Sequence, residues 1–327
     1  MTDLRQVSVI IPTYNRASYL QICLNALAAL RTDPAIFEIV IVDNNSTDNT
    51  QSLVLAFAQA HPDLGVHYLL ETNQGLSYAR NRAVREANGE FLCFLDDDAP
   101  PSPEWLNIIL KGFCDPSVGC IGGPALLDYQ GQERPPWLKG DLQGLLSGYE
   151  LPYNKPAVIS KVAEFPFGCN MAFRKKVFSE VGLFRTNLDR CGDQVLAAGD
   201  TEMIGRVHKA GWKVLYLPQA QVRHLVAPER LKKEYIYRIG KGLATTHILL
   251  TADPRPHMIL RWFASDLWYT SQMLWGFLIA LILRKPLWFD DYMRLWMVAS
   301  RIPFRFKMLF RGMSTPSQRQ SKVVIGE

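Results

Sequence analysis

The first hundred residues of this chain predict an α/β fold, a mostly parallel sheet flanked by helices. Three observations lead there. Short β-branched and apolar runs recur at 7–11, 37–42, 66–70 and 91–95. Segments of helical period stand between them, the alternation that builds parallel sheets with helices on both faces. Polar clusters follow the first, second and fourth runs, and in such a sheet those ends share one edge, where ligands collect.

Taken in order, the run at 7–11 closes at Pro12. Residues 19–30 place Leu20, Cys23, Leu24, Leu27 and Leu30 on one helical face. The run at 37–42 is closed by the polar stretch Asp43 to Asp48, where Ser46, Thr47 or Asp48 serves as N-cap for a helix through Gln59. A helix over 76–87 is expected to end at Gly89. From about 122 to 156 the chain is rich in Gly, Pro and Tyr and loses its period, so a long loop near the site or a small insertion is expected. Helical pattern returns at 175–181 and 200–210, followed by a strand at 213–217. Residues 313–327, rich in Ser, Gln and Lys, read as a frayed tail.

With 48% hydrophobic residues, a chain of 327 has core enough for one large domain or two. Its charge is unevenly placed. From Arg255 onward there are eleven of the 36 Lys and Arg but four of the 31 Asp and Glu, which leaves the first 254 residues at a net −2. A near-neutral body with a basic, Trp-rich end points to an anionic surface, nucleic acid or acidic lipid. The six cysteines show no CxxC pair or zinc spacing, the pattern of a reducing compartment. The N-terminal residues lack the apolar core of a signal peptide, so export is not expected.

The chemistry concentrates at Asp96-Asp97-Asp98, three carboxylates directly after the apolar run 91–95. Adjacent acids repel one another, and a strand ending in them gains nothing for folding. Carboxylate oxygens suit hard divalent ions, so the triplet is either a metal site or a solvated acidic turn before Pro100 and Pro101. Three further polar clusters stand at strand ends or helix starts: Pro12 to Arg16, Asp43 to Asp48, and Asp200-Thr201-Glu202.

In this order, Val7-Ser-Val-Ile-Ile-Pro-Thr-Tyr-Asn-Arg16, Ile41-Val-Asp-Asn-Asn-Ser-Thr-Asp48, Asn73-Gln-Gly75 and Phe94-Leu-Asp-Asp-Asp98 resemble a family 2 glycosyltransferase. Gly168 to Arg174, Val181 to Phe184 and Trp212 to His224 extend the resemblance over roughly 5–225. It implies a GT-A fold and an inverting sugar transfer from a nucleotide-sugar. The expected domains are a catalytic one over 1–225, nucleotide-binding to about 120 and acceptor-binding beyond, then a helical region at 226–312. Pro12, Tyr14 and Arg16 would form the first nucleotide loop, with Tyr14 against the base. Asn45 and Gly75 fall in the matching loops. Asp43 would accept the imide N–H of the base, which favours uracil, although thymine satisfies it equally. Asp96 and Asp98 match the DxD pair that serves ribose and a Mg²⁺ or Mn²⁺ ion; Asp97 between them leaves the register open, with Asp98 preferred on the metal. His224 stands where relatives place a metal- or phosphate-contacting histidine. Arg80 faces either the pocket or solvent, and Asn170 would contact donor sugar or acceptor. Inversion needs one general base. Asp200 matches that position, with Glu202 second, and Gly199 departs from the pattern by replacing its first acid.

Residues 267–283 carry no charge, a run of 17 at the lower limit for a spanning helix. A single crossing would leave the basic end outside, against the positive-inside tendency. Amphipathic helices lying in the interface at 257–311 are preferred, on the cytoplasmic face where nucleotide-sugars are made. Packing on the catalytic domain or a dimer contact is the plainer use of such helices. The function expected is transfer from a UDP-linked sugar to a glycan or lipid-linked acceptor in polysaccharide assembly, with no nucleic-acid partner. An inactive nucleotide-sugar-binding or scaffolding relative is the alternative, favoured only by Gly199. A sugar nucleotidyltransferase would want a Gly-rich phosphate loop where Pro12-Thr13-Tyr14-Asn15 stands.

Overall fold

Eight strands form the main sheet of the computed structural model, in the order β3-β2-β1-β4-β8-β5-β9-β7. The structure describes residues 6–188, 198–250, 255–285 and 288–311. They fall into two units. One holds the described residues up to 228 except 134–145; the other holds 134–145 and those from 229 on.

In the first unit, β1 (Val7–Thr13), β2 (Phe37–Asp43), β3 (Val66–Leu70) and β4 (Phe91–Leu95) alternate with α1 (Ala17–Ala28), α2 (Thr50–Ala60) and α3 (Leu76–Glu86). These four strands are mutually parallel. After α4 (Trp105–Gly112) come β5 (Val118–Gly122), β6 (Ala125–Asp128), β7 (Ala157–Ile159), β8 (Asn170–Arg174), α5 (Lys176–Val181), α6 (Gly199–Lys209), β9 (Lys213–Tyr216) and β10 (Val222–Leu225). β8 lies antiparallel between β4 and β5, and β7 runs antiparallel to β9. The sheet is therefore mixed, with six strands running one way and β8 and β7 running against them. β8 enters after the irregular excursion that follows β5, and local periodicity carries no information on the direction of its return.

The β1–β4 ladder stops at Ile10, whereas the β1–β2 ladder continues to Thr13. Pro12, which has no N–H to donate, thus lies beyond the point where β4 could use one. Past Ile10 the two strands part, and the crevice falls where successive strands change sides of β1.

Two expectations are corrected here. The aperiodic stretch 122–156 is not only loop: β6 pairs in parallel with β10. Gly89 does not terminate α3, which ends at Glu86 with Ala87 extended. A Cβ on Gly89 would lie 2.5 Å from the Ser8 backbone nitrogen, so its small size serves close approach to β1. Beside it, the buried Glu38 carboxylate accepts from Ser8 Oγ (2.6 Å) and Asn88 N–H (2.7 Å). Burial opposes its charge, but these hydrogen bonds, with His67 nearby, hold its pKa below the ordinary value.

Asn170 also takes an interior role. Its Oδ1 accepts from the Trp105 indole (2.9 Å), and its amide donates to the carbonyls of Pro124 (3.0 Å) and Ala220 (2.8 Å). The side chain is a buried strut joining α4 to the segments before β6 and β10.

The second unit contains α7 (Lys233–Leu250), α8 (Pro256–Ile282), α9 (Trp288–Ala299) and α10 (Ile302–Arg311). Asp266 on α8 is buried against α10, accepting from Arg305 Nε (2.9 Å) with Arg301 Nη1 at 3.6 Å. Buried charges need such partners. His247 on α7 is pushed down to about 4 by burial and by Arg301. The opposite face of α8 carries Leu260, Leu267, Trp268, Trp275, Leu278 and Ile282 into solvent. Among the described residues, no helix is long and apolar enough to cross a membrane. The tail at 313–327 lies outside the described residues.

Asn170→Ala should destabilise the protein by about 2–3 kcal/mol, because three buried partners lose their hydrogen bonds. The urea midpoint checks this, and an unchanged midpoint would contradict the strut.

Candidate active site

The turn after β1 is locked to the turn after β2. Asn15 adopts φ 52 and its N–H donates to Ser46 Oγ (2.9 Å), while its Oδ1 accepts the Thr47 N–H (2.7 Å). Asp48 accepts from Ala17 N–H (3.1 Å) and Thr50 N–H (3.1 Å), tying the starts of α1 and α2 together. Asp43 closes β2 in the interior: its Oδ1 accepts the Ser46 N–H and its Oδ2 the Tyr68 hydroxyl, both at 2.8 Å. Each oxygen keeps a lone pair for a further donor.

Asn45 and Asn44 divide the roles that the sequence left together. Asn45 is exposed, in the left-handed region at φ 66. Asn44 is buried and organises the loop before α3. It donates to the carbonyls of Glu71 (3.0 Å) and Asn73 (2.7 Å), and accepts the Gly75 N–H (2.7 Å). Gly75 has φ 140, a conformation suited to glycine. Asn44 was missed, and its only signal was its place inside the polar cluster.

These loops and the end of β4 enclose a cavity of about 250 Å³ lined by Pro12, Thr13, Tyr14, Arg16, Asn44, Gly75, Asp96 and Asp97, among others. Tyr14 is 45% exposed at this site. The three aspartates have distinct surroundings. Asp97 is buried; Thr13 Oγ1 donates to its Oδ2 (2.8 Å) and Arg16 Nη1 sits 2.8 Å from its Oδ1. Burial raises its pKa, helped by Asp98 and Asp96 and opposed by Arg16 and Thr13. Asp98 is fully buried, with Oδ2 2.6 Å from Arg16 Nη2 and Oδ1 3.4 Å from His224 Nε2. Asp96 is more open and faces Arg80 Nη2 at 3.8 Å.

His224 reaches this cluster because β10 runs beside the chain that follows Asp98. Leu225 N–H donates to the Asp98 carbonyl (2.8 Å) and Arg223 N–H to that of Pro100 (3.0 Å). Ligand atoms of Asp96, Asp98 and His224 all lie within 4.8 Å of one another.

Arg80 is buried in the site rather than on the surface, its guanidinium over Phe184 at 5.5 Å. A Cβ on Gly168 would lie 2.2 Å from Arg80 Nη2, so a larger residue there would push the guanidinium aside. Gly168 N–H in turn donates to Asp200 Oδ2 (2.7 Å). Asp96, Arg80, Gly168 and Asp200 thus form one chain of contacts. Glu202 is committed elsewhere. It holds Arg206 by paired hydrogen bonds (3.0–3.1 Å), and Arg206 also caps the carbonyls of Val181 and Leu183. Of the two acids, Asp200 alone stands next to the cluster by these contacts.

Residues 8–182 match the glycosyl transferase family 2. Glycosyltransferase AglE of Haloferax volcanii is 30% identical over 276 residues, covering 83% of this chain and 81% of that protein. A glucosyl-dolichyl phosphate glucuronosyltransferase of the same organism is 24% identical, covering 71% of this chain and 72% of its own length. Among solved structures, a mannosyltransferase from Pyrobaculum calidifontis in complex with GDP-mannose and Mn²⁺ superposes with a TM-score of 0.62 at 22% identity, over 91% of this chain and 87% of that one. The chain belongs to glycosyl transferase family 2, and it transfers a sugar from a nucleoside-diphosphate donor to an acceptor.

Proposed function

We propose that this protein is an inverting, metal-dependent glycosyltransferase that moves a sugar from a UDP-linked donor to a hydroxyl of a lipid-linked or membrane-adjacent glycan. The observation that carries the reading is the meeting of Asp96, Asp98 and His224 beside the Arg80–Gly168–Asp200 chain. Two carboxylates and an imidazole are a donor set that suits Mg²⁺ or Mn²⁺. When bound there, such an ion neutralises charge on the departing diphosphate. The Pyrobaculum structure with Mn²⁺ supports the same choice.

The chain's own residues supply the rest. Tyr14 lies against the base at the cavity's open side, and Asp43 offers its remaining lone pairs to an imide N–H. Arg80 balances Asp96. As the acceptor oxygen attacks the anomeric carbon, its proton passes to Asp200, and the bond from that carbon to the diphosphate oxygen breaks with its electron pair. The Gly168 N–H keeps Asp200 aimed during that step. Asn45, exposed in its turn, contributes shape to the loop. The GDP-mannose in the Pyrobaculum structure favours a second reading of the base, since the N1–H of guanine also suits Asp43.

The lipid side rests on the second unit. Trp268 and Trp275 on α8 are 64% and 68% exposed. No acidic residue stands between 267 and 289, while exposed Arg261, Arg284 and Lys285 flank the apolar face. A helix of this kind lies in the headgroup region of anionic lipid. The Haloferax relative named for glucosyl-dolichyl phosphate supports an acceptor of that class.

A screen of nucleotide-sugars for Mn²⁺-dependent hydrolysis tests the reading. Turnover is expected with a UDP-sugar, and donor binding without turnover across plausible acceptors would leave a binding or scaffolding role. Asp200→Asn should lower kcat about 10²–10⁴-fold with donor affinity kept. Asp98→Ala should abolish metal-dependent UDP binding in a variant that still folds, with a lowered melting temperature because Arg16 loses a buried partner; UDP affinity still sensitive to EDTA in that variant would contradict the assignment. Replacing Trp268 and Trp275 together by Ser should cut binding to anionic vesicles about tenfold or more, read by sedimentation, with no change in melting.

A further inference from the structure

The guanidinium of Arg16 is shared between two of the three aspartates. Nη1 lies 2.8 Å from Asp97 Oδ1 and Nη2 2.6 Å from Asp98 Oδ2. The backbone that aims it is held on both sides, at Asn15 by Ser46 and Thr47 and at Ala17 by Asp48. The Tyr19 ring lies 4.7 Å from the guanidinium carbon. Asp97 has its second oxygen on Thr13, so both of its oxygens are engaged in holding the turn and the fork. Asp98 is divided differently. One oxygen meets Arg16 and the other faces His224.

From this geometry we infer that Arg16 makes binding of the divalent cation depend on the nucleoside diphosphate. The inference rests on the metal reading proposed above. Arg16 is a resident counter-charge for Asp98, so a bare cation meets a carboxylate already part-neutralised and a fixed positive charge close by. That repulsion opposes entry. A cation carrying a diphosphate brings negative charge with it, and the repulsion is offset. Arg16 is a positioning residue: it divides the Asp98 carboxylate and sets when the ion is accepted, and it takes no part in bond making. By linkage, the factor by which nucleotide tightens the cation is the factor by which the cation tightens nucleotide.

The test is Mn²⁺ affinity of the full chain, measured by the electron paramagnetic resonance signal of free Mn²⁺, without nucleotide and with saturating UDP or GDP. In the wild type either UDP or GDP should tighten Mn²⁺ clearly. Arg16→Gln should tighten bare Mn²⁺ about tenfold and shrink the nucleotide effect by the same factor. Arg16→Lys keeps the charge and should stay near the wild type in bare Mn²⁺. Arg16→Gln with unchanged or weaker bare Mn²⁺ binding, in a variant shown to be folded by circular dichroism, overturns the inference. Should that variant not fold, equal Mn²⁺ affinity with and without nucleotide in the wild type overturns it equally. Absence of Mn²⁺ binding in the wild type even with UDP or GDP would sink the metal reading itself, and this inference with it.

Discussion

Charge balance at the carboxyl edge of the sheet is the constraint on which this structure turns. β4 delivers three adjacent carboxylates to a half-enclosed place, where uncompensated charge is costly. Each carboxylate is answered by an element distant in sequence. Thr13 and Arg16 come from the end of β1, Arg80 from α3, and His224 from β10. Folding the chain so that these groups meet also gathers an acidic and imidazole donor set beside Asp200. Stability and the candidate site therefore draw on the same contacts.

The alternating half of the fold was legible because it is local. β-branched runs, helical periods and strand-end polar clusters specified β1 to β4 and α1 to α3 to within a few residues. What failed was non-local. The antiparallel insertion of β8 and the pairing of β6 with β10 depend on partners far along the chain, for which the irregular text at 122–156 offers no period. Gly89 failed for a related reason. A glycine after a helix reads as a stop, and its real service is to the backbone of β1, visible only once the strand lies against it.

Within the candidate site, residue types said more about where polar groups gather than about what each one contacts. Asp43, Asp96, Asp98, Asp200 and His224 all stand in one unit around a single edge. Asn170 and Glu202 match the same motifs, yet their polar atoms are engaged by Trp105, Pro124 and Ala220 in one case and Arg206 in the other. A motif fixes which side chain is present; which groups consume its hydrogen bonds depends on tertiary neighbours. Asn44 and Gly168 show the converse. Neither was singled out, and each sets the geometry of a neighbour, Asn44 through the Gly75 turn and Gly168 through Arg80 and Asp200. In the second unit the uncharged run 267–283 was plain, but that it belongs to a longer helix pinned through Asp266 to Arg305 was not.

The most direct measurement is anomalous diffraction from crystals grown with Mn²⁺ and UDP. The account predicts one Mn²⁺ peak about 2–2.5 Å from oxygens of Asp98 or Asp96 and from His224, on the diphosphate side of the cavity. Nucleotide bound in that cavity with no Mn²⁺ at those residues, or with the ion held elsewhere, would contradict it.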